Sequence, residues 1–380
     1  MKVVLAIDSF KGSLSCVEAA EAAALGIKDV YPDAVAVICP VADGGEGTVE
    51  AMVRATGGEY RTATVSDPLG REVEAVYGVI PSGEAVIEMS AAAGITLVSD
   101  EEKDPLASDT YGVGEMILGA MRDGVRSFII GIGGSATNDG GVGMLRALGY
   151  RFLNSSGEPI SRGAIGLADL ASIDASGASP LIGECSFFVA SDVKNPLCGA
   201  NGATYVYGPQ KGVGDELKPV LDGYLMNFAA LTRTVNPTAD PDMPGAGAAG
   251  GLGFALVNYL GARLSSGIEL IIDKVGLADK IRDADLVITG EGRMDAQSAM
   301  GKLPVGVAAV AKAQGKPVIA LAGSVLPGAQ QLHGEGIDAI FPILRKPVTL
   351  AEAMDKTNAA ENMRAAAREV LSLVKLLYRG

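Results

Sequence analysis

Short apolar strands alternate with helical segments at both ends of this 380-residue chain. In chain order, the predicted elements of the two ends are strand 3–7, helix 15–31, strand 34–40, helix 46–56, strand 285–289, helix 296–314, strand 317–322, strand 339–343 and helix 350–378. Consecutive strands that alternate with helices are typical of parallel sheets covered by helices on both faces. The two ends of the chain therefore predict one doubly wound parallel sheet.

The alternation stops in the middle of the chain, where short strands and tight turns follow one another. The predicted elements there are three hairpin strands within 60–90, separated by turns at 67–70 and 81–83, then helix 110–123 and strands 127–132 and 187–190. Hairpin strands next to a parallel unit indicate a mixed sheet. We predict an α/β protein of two domains: residues 1–60 with 281–380, and a mixed α/β domain, 61–280, inserted between them. We expect the active site in the interdomain cleft.

Length and charge exclude several classes of protein. A single core rarely grows beyond about 250 to 300 residues, which agrees with two domains. The net charge of −14 argues against a nucleic-acid or membrane surface, so an anionic substrate needs a few local cations. Four cysteines without C-x-x-C spacing and a single histidine exclude a zinc site. We find no signal sequence and no apolar run of membrane length, and predict a cytoplasmic protein.

An apolar run leads into a glycine-rich stretch, GIGGSATNDGG, at residues 131–141. Its first six residues fit the dinucleotide fingerprint G-x-G-x-x-G/A, which needs an acidic residue after the next strand. Asn154 stands there instead. The hydroxyl, amide and carboxyl side chains that follow the glycines are groups that bind phosphate or metal-bound water. A plain turn between a strand and a helix, without any ligand, stays open as the simpler alternative.

A related pattern, D-G-G-x-G-x-x-x-A, occurs twice, at 43–51 and 139–147. In both places it lies between a predicted strand and a predicted helix. Aspartate favours helix N-termini as a capping residue, and helix N-termini also bind anions. The repeat is therefore compatible with two capped helices, with two ligand sites, or with both.

Other charged residues follow predicted strands, at the place where doubly wound sheets bind ligands. Lys11 in DSFKGS is either a solvated lysine or an anion clamp. Asp192 and Glu291 each follow an apolar strand, as carboxylates that bind Mg²⁺ beside phosphate do. The alternative for Asp192 is a turn before Asn195. For Asp295, near Glu291, the alternative is a helix cap.

Two glycine-rich stretches complete the set of motifs. GPQKG, 208–212, follows a strand predicted at 203–207 and presents Lys211 on a turn, where it could neutralise phosphate together with Arg293 and Lys302. PGAGAAGGLGFAL, 244–256, predicts a closely packed helix of small residues. The P-loop pattern is absent, because Lys302 is followed by leucine.

Nine motifs in this order resemble the bacterial type I glycerate kinases, over residues 1 to about 325. They are DSFKGS, VADGGEGT, DPLGR, TYGVGE, GIGGSATNDGG, NPLCGANGA, GPQKG, PGAGAAGGLG and GEGRMDAQSAMGK. The departures are small: Ser191 and Ser298 stand where a cysteine and a threonine are common in the family. The resemblance implies a flavodoxin-like domain with an inserted α/β domain, and ATP- and Mg²⁺-dependent phosphorylation of D-glycerate, generally to 2-phosphoglycerate.

Several alternatives remain open beside this resemblance. They are a glycerate 3-kinase or a kinase of a related small hydroxy acid and, from other classes, an NAD(P)-dependent hydroxy-acid dehydrogenase or a non-catalytic sugar-acid sensor. The oligomeric state also stays open, with a homodimer as one possibility.

We assign candidate roles from the chemistry that phosphoryl transfer requires. The candidate residues are, for catalysis, Asp192, with Asp43 as second choice, and Lys11; for glycerate, Ser9, Lys11 and Arg71; for ATP phosphates, Gly133, Gly134, Ser135, Thr137, Asn138, Lys211 and Arg293; and for Mg²⁺, Asp139, Asp192 and Glu291.

Overall fold

A computed structural model describes residues 1–299 and 302–377 of the chain. The strands are β1 (Lys2–Ile7), β2 (Val35–Ile38), β3 (Glu59–Ser66), β4 (Glu72–Val79), β5 (Glu84–Glu88), β6 (Ser127–Gly131), β7 (Arg151–Leu153), β8 (Ser172–Asp174), β9 (Ser186–Ala190), β10 (Arg263–Ser265), β11 (Leu286–Met294), β12 (Val318–Val325) and β13 (Ala339–Pro342). The helices are α1 (Cys16–Val30), α2 (Thr48–Thr56), α3 (Ser90–Ala93), α4 (Tyr111–Arg122), α5 (Val142–Ala147), α6 (Ala203–Tyr207), α7 (Lys218–Val235), α8 (Ala248–Leu260), α9 (Gly267–Lys274), α10 (Leu277–Ile281), α11 (Leu303–Ala313), α12 (Leu350–Met354) and α13 (Lys356–Leu377).

The first compact unit contains residues 1–43, 50–57 and 268–380. Its five strands are parallel, in the order β13-β12-β11-β1-β2, and Ile7 at the end of β1 is paired with Gly290 of β11. Leu5 packs on one face of the sheet in a core cluster with residues of α1 and α13, while the next residue along the strand, Ala6, is buried on the other face. Burial on both faces is what a parallel sheet covered by helices requires.

The second unit contains residues 44–49 and 58–267. Its six-stranded sheet has the order β10-β9-β6-β5-β4-β3, in which β3, β4 and β5 form antiparallel pairs and β5, β6, β9 and β10 are parallel. A separate antiparallel pair is formed by β7 and β8. The protein is therefore an α/β protein with one parallel and one mixed sheet, as the alternation and the hairpins predicted.

The second boundary between the units lies at 267/268 rather than at the predicted 280/281. Helices α9 and α10 belong to the first unit, where α10 contacts α11. The sequence offered no glycine or proline cluster at 267, so the prediction placed the boundary before the next apolar strand.

Three predicted elements were wrong in type or extent. Residues 203–207 form helix α6 and not a strand; Thr204 is fully buried and its hydroxyl accepts a 3.0 Å hydrogen bond from Asn138, so packing overrides the local preference of Thr-Tyr-Val-Tyr for a strand. The helix predicted from 296 begins at Leu303, because Pro304 is accommodated only in a first turn. The last helix is divided at Asp355, whose carboxylate accepts from Asn358 N and caps α13.

Smaller differences concern the ends of elements. Strand β11 continues to Met294 because β12 is long enough to pair with it, through Arg293 with Ser324. Met300, Gly301 and Tyr378, which fall within predicted helices, lie outside the described residues. Within the described residues, no helix has the length and apolar character needed to cross a membrane.

Candidate active site

A cavity of about 480 Å³ opens in the first unit, where its parallel strands end. Its charged and hydroxyl-bearing lining residues are Asp8, Ser9, Lys11, Ser13, Asp43, Glu291, Arg293, Lys302 and Ser324. They follow or end β1, β2, β11 and β12, as expected for a ligand site in a doubly wound sheet. One cavity therefore contains six residues predicted from three motifs: Ser9 and Lys11, Asp43, and Glu291, Arg293 and Lys302.

Asp8 lies directly after β1 and is buried in this cavity. Its backbone N–H donates to Gly290 O at 2.9 Å, which places it beside Glu291 of the neighbouring strand, and its Oδ1 accepts from Ser9 N at 2.7 Å. Burial, and after it the charge of Asp43, raises the pKa of Asp8 to about 7. No role was predicted for Asp8, although a carboxylate immediately after the first strand was a signal for one.

Glu291 is a buried carboxylate within β11, not after the strand as predicted. Its Oε1 is buried and has no hydrogen-bond partner among the described residues, while Oε2 lies 3.8 Å from Lys302 Nζ. Burial raises the pKa of this carboxyl, and Ser298 and Lys302 oppose that shift. Glu291 thus offers an oxygen ligand that no protein donor occupies.

Lys11 and two serines line the same cavity. The Lys11 side chain is 61% exposed, and its Nζ lies 3.8 Å from Asp43 Oδ2. The hydroxyl oxygens of Ser9 and Ser13 are buried and have no hydrogen-bond partner within residues 1–299 and 302–377. Buried polar atoms normally have one, so these hydroxyls are available to a bound ligand.

Arg293 also lines the cavity but has a protein partner. Its Nε and Nη2 lie 3.1 and 2.9 Å from Asp295 Oδ2. Asp295 accepts from Gln297 N at 2.9 Å and so forms a turn, not the helix cap that the sequence left open as its alternative. Within the described residues, no group of three or more His, Cys, Asp or Glu side chains is arranged as a metal site.

The glycine-rich stretch 131–141 belongs to the second unit, and most of its side chains are buried. Gly134 is exposed and Gly133 half-buried, whereas Ser135, Thr137 and Asn138 are buried. Among the residues that the structure describes, the hydroxyl of Thr137 and the Oδ1 of Asn138 have no hydrogen-bond partner. The surface that this loop presents is therefore mainly backbone.

Lys211 supports this loop from inside the protein. It is 2% exposed, not on an open turn as predicted, and its Nζ donates to Ser135 Oγ and to Thr137 O, both at 2.6 Å. Burial lowers the pKa of Lys211 to about 7, although the nearby charge of Asp139 raises it. The ammonium group of Lys211 is buried against the loop, so its position does not support a direct contact with phosphate.

Asp139 lies three residues before α5, and its carboxylate accepts from backbone N–H groups at the start of that helix. Its Oδ1 accepts from Gly141 N at 3.0 Å, and its Oδ2 accepts from Thr110 N, Thr110 Oγ1 and Gly143 N at 2.8 to 3.0 Å. Burial raises its pKa. A carboxylate enclosed by four donors is a poor metal ligand, and we withdraw Asp139 as a Mg²⁺ candidate. Asp43, its counterpart in the repeat, lines the cavity of the first unit instead.

Two further candidates lie in the second unit. Arg71 binds Asp67 through Nε at 2.6 Å, Glu102 through Nη1 at 2.7 Å, and Leu97 O through Nη2 at 3.2 Å. These contacts hold the guanidinium in the turn after β3, where protein acceptors already bind it, so its geometry does not support a role in binding the glycerate carboxylate. Asp192 follows β9 and is exposed, as a ligand-binding carboxylate or a turn residue would be.

The small-residue stretch 244–256 packs against the glycine-rich loop. Its helix, α8, is interrupted at 249–251, where all three residues have positive φ. The carbonyl of Gly250 accepts from Gly140 N at 3.0 Å, and a Cβ on Gly250 would lie 2.0 Å from Thr137 O. The close packing was predicted; the break in the helix was not.

Taken together, the fold and the cavity define an α/β protein that concentrates carboxylates and cations where parallel strands end, which is the arrangement of enzymes acting on small anionic or phosphorylated substrates. The sequence model that describes the glycerate kinase family matches residues 3–375 of this chain. The chain therefore belongs to the glycerate kinase family, and is a phosphotransferase.

Individual relatives agree with this membership. The chain is 47% identical to glycerate 2-kinase of Escherichia coli K12, covering 100% of this chain and 99% of the relative, and 47% identical to glycerate kinase of Bacillus subtilis 168, covering 99% and 98%. A crystal structure assigned as glycerate kinase 2 of Salmonella typhimurium LT2 superimposes with a TM-score of 0.88 at 47% identity, over 99% and 98% of the chains. The family and the kinase function predicted from the nine motifs are confirmed, and the family implies ATP as phosphoryl donor.

Proposed function

We propose that this protein transfers the γ-phosphoryl group of ATP to the 2-hydroxyl of D-glycerate, producing 2-phosphoglycerate and ADP. The observation that carries the proposal is the cavity of the first unit, which brings Asp8, Asp43 and Glu291 together with Lys11 and Lys302. The full-length similarity to a glycerate 2-kinase supports the choice of the 2-hydroxyl. With the family established, we set the dehydrogenase and sensor alternatives aside.

The reaction requires a group that accepts the hydroxyl proton as the glycerate oxygen bonds to phosphorus and the bond from phosphorus to the bridging oxygen of ADP breaks. We assign this role to Asp8, whose carboxylate is enclosed in the cavity and accepts from Ser9 N through Oδ1. Asp43 lines the same cavity. Asp192, predicted from the sequence, remains the competing proposal.

Local cations offset the charges of the two substrates. We assign Lys11 and the unpartnered hydroxyl of Ser9 to the glycerate carboxylate, and Lys302 and Arg293 to the phosphates. In a chain of net charge −14, such cations are needed to bind two anions at once. The backbone of Gly133 and Gly134 stays a proposed phosphate contact, with Ser135, Thr137, Asn138 and Lys211 shaping that loop from inside.

The donor set of the cavity fits Mg²⁺, which proteins usually hold by one or two carboxylates together with substrate phosphates. Glu291 is our candidate ligand, because its buried Oε1 has no hydrogen-bond partner in the part of the chain that the structure describes. When bound, the ion would neutralise charge on the transferred phosphoryl group.

The finer description of the architecture is also an inference. Numbered along the first unit, its strands have the order 2-1-3-4-5, which is that of flavodoxin-like sheets, and the second unit interrupts the chain between β2 and β11. We infer a flavodoxin-like domain with an inserted mixed α/β domain. The expectations of an interdomain active site and of a homodimer stay predictions.

Product analysis tests the proposed function. The protein is incubated with ATP, Mg²⁺ and D-glycerate, and the phosphorylated carbon is identified by ³¹P and ¹³C NMR. We expect phosphorus coupled to carbon 2, together with stoichiometric ADP. Phosphate on carbon 3 would contradict the regiochemistry, and turnover of other small hydroxy acids in preference to glycerate would contradict the substrate.

A further inference from the structure

The cavity of the first unit has an apolar wall that phosphoryl transfer to a small acid does not explain. Leu350, Ala353 and Met354 of α12 line the cavity, and their spacing of i, i+3 and i+4 places them on one face of the helix. Leu350 is 77% exposed, more than any other large hydrophobic side chain in the described part of the chain. An apolar side chain left open at the rim of a cavity indicates a ligand that covers it.

The strand order separates the part of this apolar wall that follows β13 from the charged residues that follow β1 and β2. Ile343 and Leu344, which follow β13, continue the wall at one edge of the sheet, whereas Asp8 and Asp43 follow β1 and β2 at the other edge and Glu291 lies in the central strand, β11. Neighbouring strands lie about 4.8 Å apart, so β13 is roughly 10 Å from β11 and about 14 Å from β1. The cavity therefore has a charged end and an apolar end.

The two ends belong to one continuous space. A Cβ on Gly12 would lie 2.8 Å from Met354 Cε, so the end of the Met354 side chain rests on the loop that carries Lys11 and Ser13. A volume of about 480 Å³ is in the range that encloses a cofactor-sized molecule, and a three-carbon acid would leave most of it empty.

We propose that the apolar end of this cavity binds the adenine base of ATP, with Leu350 and Met354 packed against its faces. This assignment rests on the kinase activity proposed above. A purine presents two flat apolar faces, and a thioether packs well against an aromatic ring. A base at this end directs the attached phosphates along the strand ends towards Arg293, Lys302 and Glu291, which face the same cavity.

Binding measurements with ADP and with pyrophosphate isolate the contribution of the base, since both ligands carry a diphosphate. Leu350→Ser and Met354→Ala are compared with Leu376→Ser, which removes a leucine of α13 that is 65% exposed and lies outside the cavity lining. Affinities for the Mg²⁺ complexes are measured by calorimetry, and thermal unfolding of each variant verifies folding.

We expect each α12 variant to weaken ADP binding about tenfold, because it removes apolar contact area from the base, and to raise the KM for ATP similarly. Pyrophosphate affinity and the KM for glycerate stay at wild-type values, and Leu376→Ser behaves as wild type. Unchanged ADP affinity in both α12 variants, or equal losses for ADP and pyrophosphate, would overturn the adenine assignment. Wild-type protein that binds ADP with this dependence on α12 but does not phosphorylate glycerate would overturn the proposed function and leave the adenine site standing.

Discussion

A lysine enclosed by protein atoms shows how far residue chemistry depends on its surroundings. The Lys211 ammonium group has two hydrogen bonds, to Ser135 and to the carbonyl of Thr137, and almost no contact with solvent. Removing a charged group from water favours its neutral form, which is why its pKa falls to about 7 although Asp139 lies nearby. Its charge therefore changes near neutral pH, where an exposed lysine stays protonated.

This titration predicts how stability depends on pH. The folded-state pKa of Lys211 lies below the ordinary value of 10.5, so between about pH 7 and 10 the unfolded chain binds a proton that the folded protein does not. Stability from this residue therefore rises with pH across that window, by at most about 1.4 kcal/mol per unit, and is constant below it. We expect the free energy of unfolding of the wild type, relative to Lys211→Met, to rise between pH 7 and 9 in urea titrations. The exposed-lysine control, Lys346→Met, should show no such trend; the same trend for both variants would contradict the assignment.

The acceptor of the hydroxyl proton can be identified by replacing single carboxylates. Loss of a general base lowers turnover about 100- to 10,000-fold. We expect Asp8→Asn to lower kcat by that amount with little change in the KM for glycerate, because Asp8 is the carboxylate enclosed in the cavity. We expect a smaller loss for Asp192→Asn. A large loss at Asp192 with near-normal turnover of Asp8→Asn would return the role to the residue predicted from the sequence.

Some residues of the site were predicted from the sequence, and the wrong predictions share one physical reason. Ser9, Lys11 and Glu291 lie where parallel strands end, a position that follows from local pattern alone. Arg71 and Asp139 also occupy turns between elements, but each has partners from elsewhere in the chain, such as Glu102 and Thr110. Which charge faces a ligand and which faces a protein partner depends on those long-range contacts.

At the scale of elements, the glycine-rich loop and α8 support each other. The backbone of α8 reverses its handedness at 249–251, and Ala249 is the one non-glycine residue with positive φ in the described part of the chain. This break brings Gly250 against Thr137 and Asn138. A helix without the break would place side chains where the loop now lies, so the loop has its shape only with this partner.

A pair of glycines in α8 and at its end separates backbone strain from close packing. Gly250 and Gly261 have φ of 67° and 65°, but a Cβ would lie 2.0 Å from Thr137 O at Gly250 and would meet nothing within 4 Å at Gly261. We expect Gly261→Ala to cost about 1 kcal/mol from strain alone, and Gly250→Ala about 3 kcal/mol or more. Chemical denaturation measures both. Equal losses would show that the loop does not pack on α8 as described.

Element type was predictable where the pattern was long and its ends were marked. Helix α1 begins after Ser15, whose hydroxyl accepts from Glu18 N in a capping box, within a residue of the prediction. Residues 203–207 were misjudged because five residues are too few to separate a strand from a helix when packing of Thr204 decides the outcome. Asp355 is a residue type that favours helix N-termini, so the sequence contained a signal for the break there. The break was not predicted because the helical periodicity continues on both sides of Asp355.

At the scale of the whole molecule, the alternation at the two ends predicted strands that belong to one sheet although more than two hundred residues separate them. Strand β1 pairs with β11, and this pairing sets Asp8 next to Glu291. The chain must therefore complete its first sheet with its last third, and the second unit forms from the residues between. The length of the chain predicted two cores, but the extent of each core depends on the tertiary contacts.

Local properties of the chain were determined by the sequence itself: periodicity gave the strands and helices, glycines and aspartates marked the turns, and nine motifs in order identified a glycerate kinase. Only the tertiary structure decided which side chains are hydrogen-bond and ion-pair partners of one another. It placed Lys211 and Asp139 inside the protein, occupied Arg71 with carboxylates, and gathered Asp8, Glu291 and the wall of α12 around one cavity. Burial and ion pairing arise between residues far apart in sequence, and they set which charges remain available to a substrate.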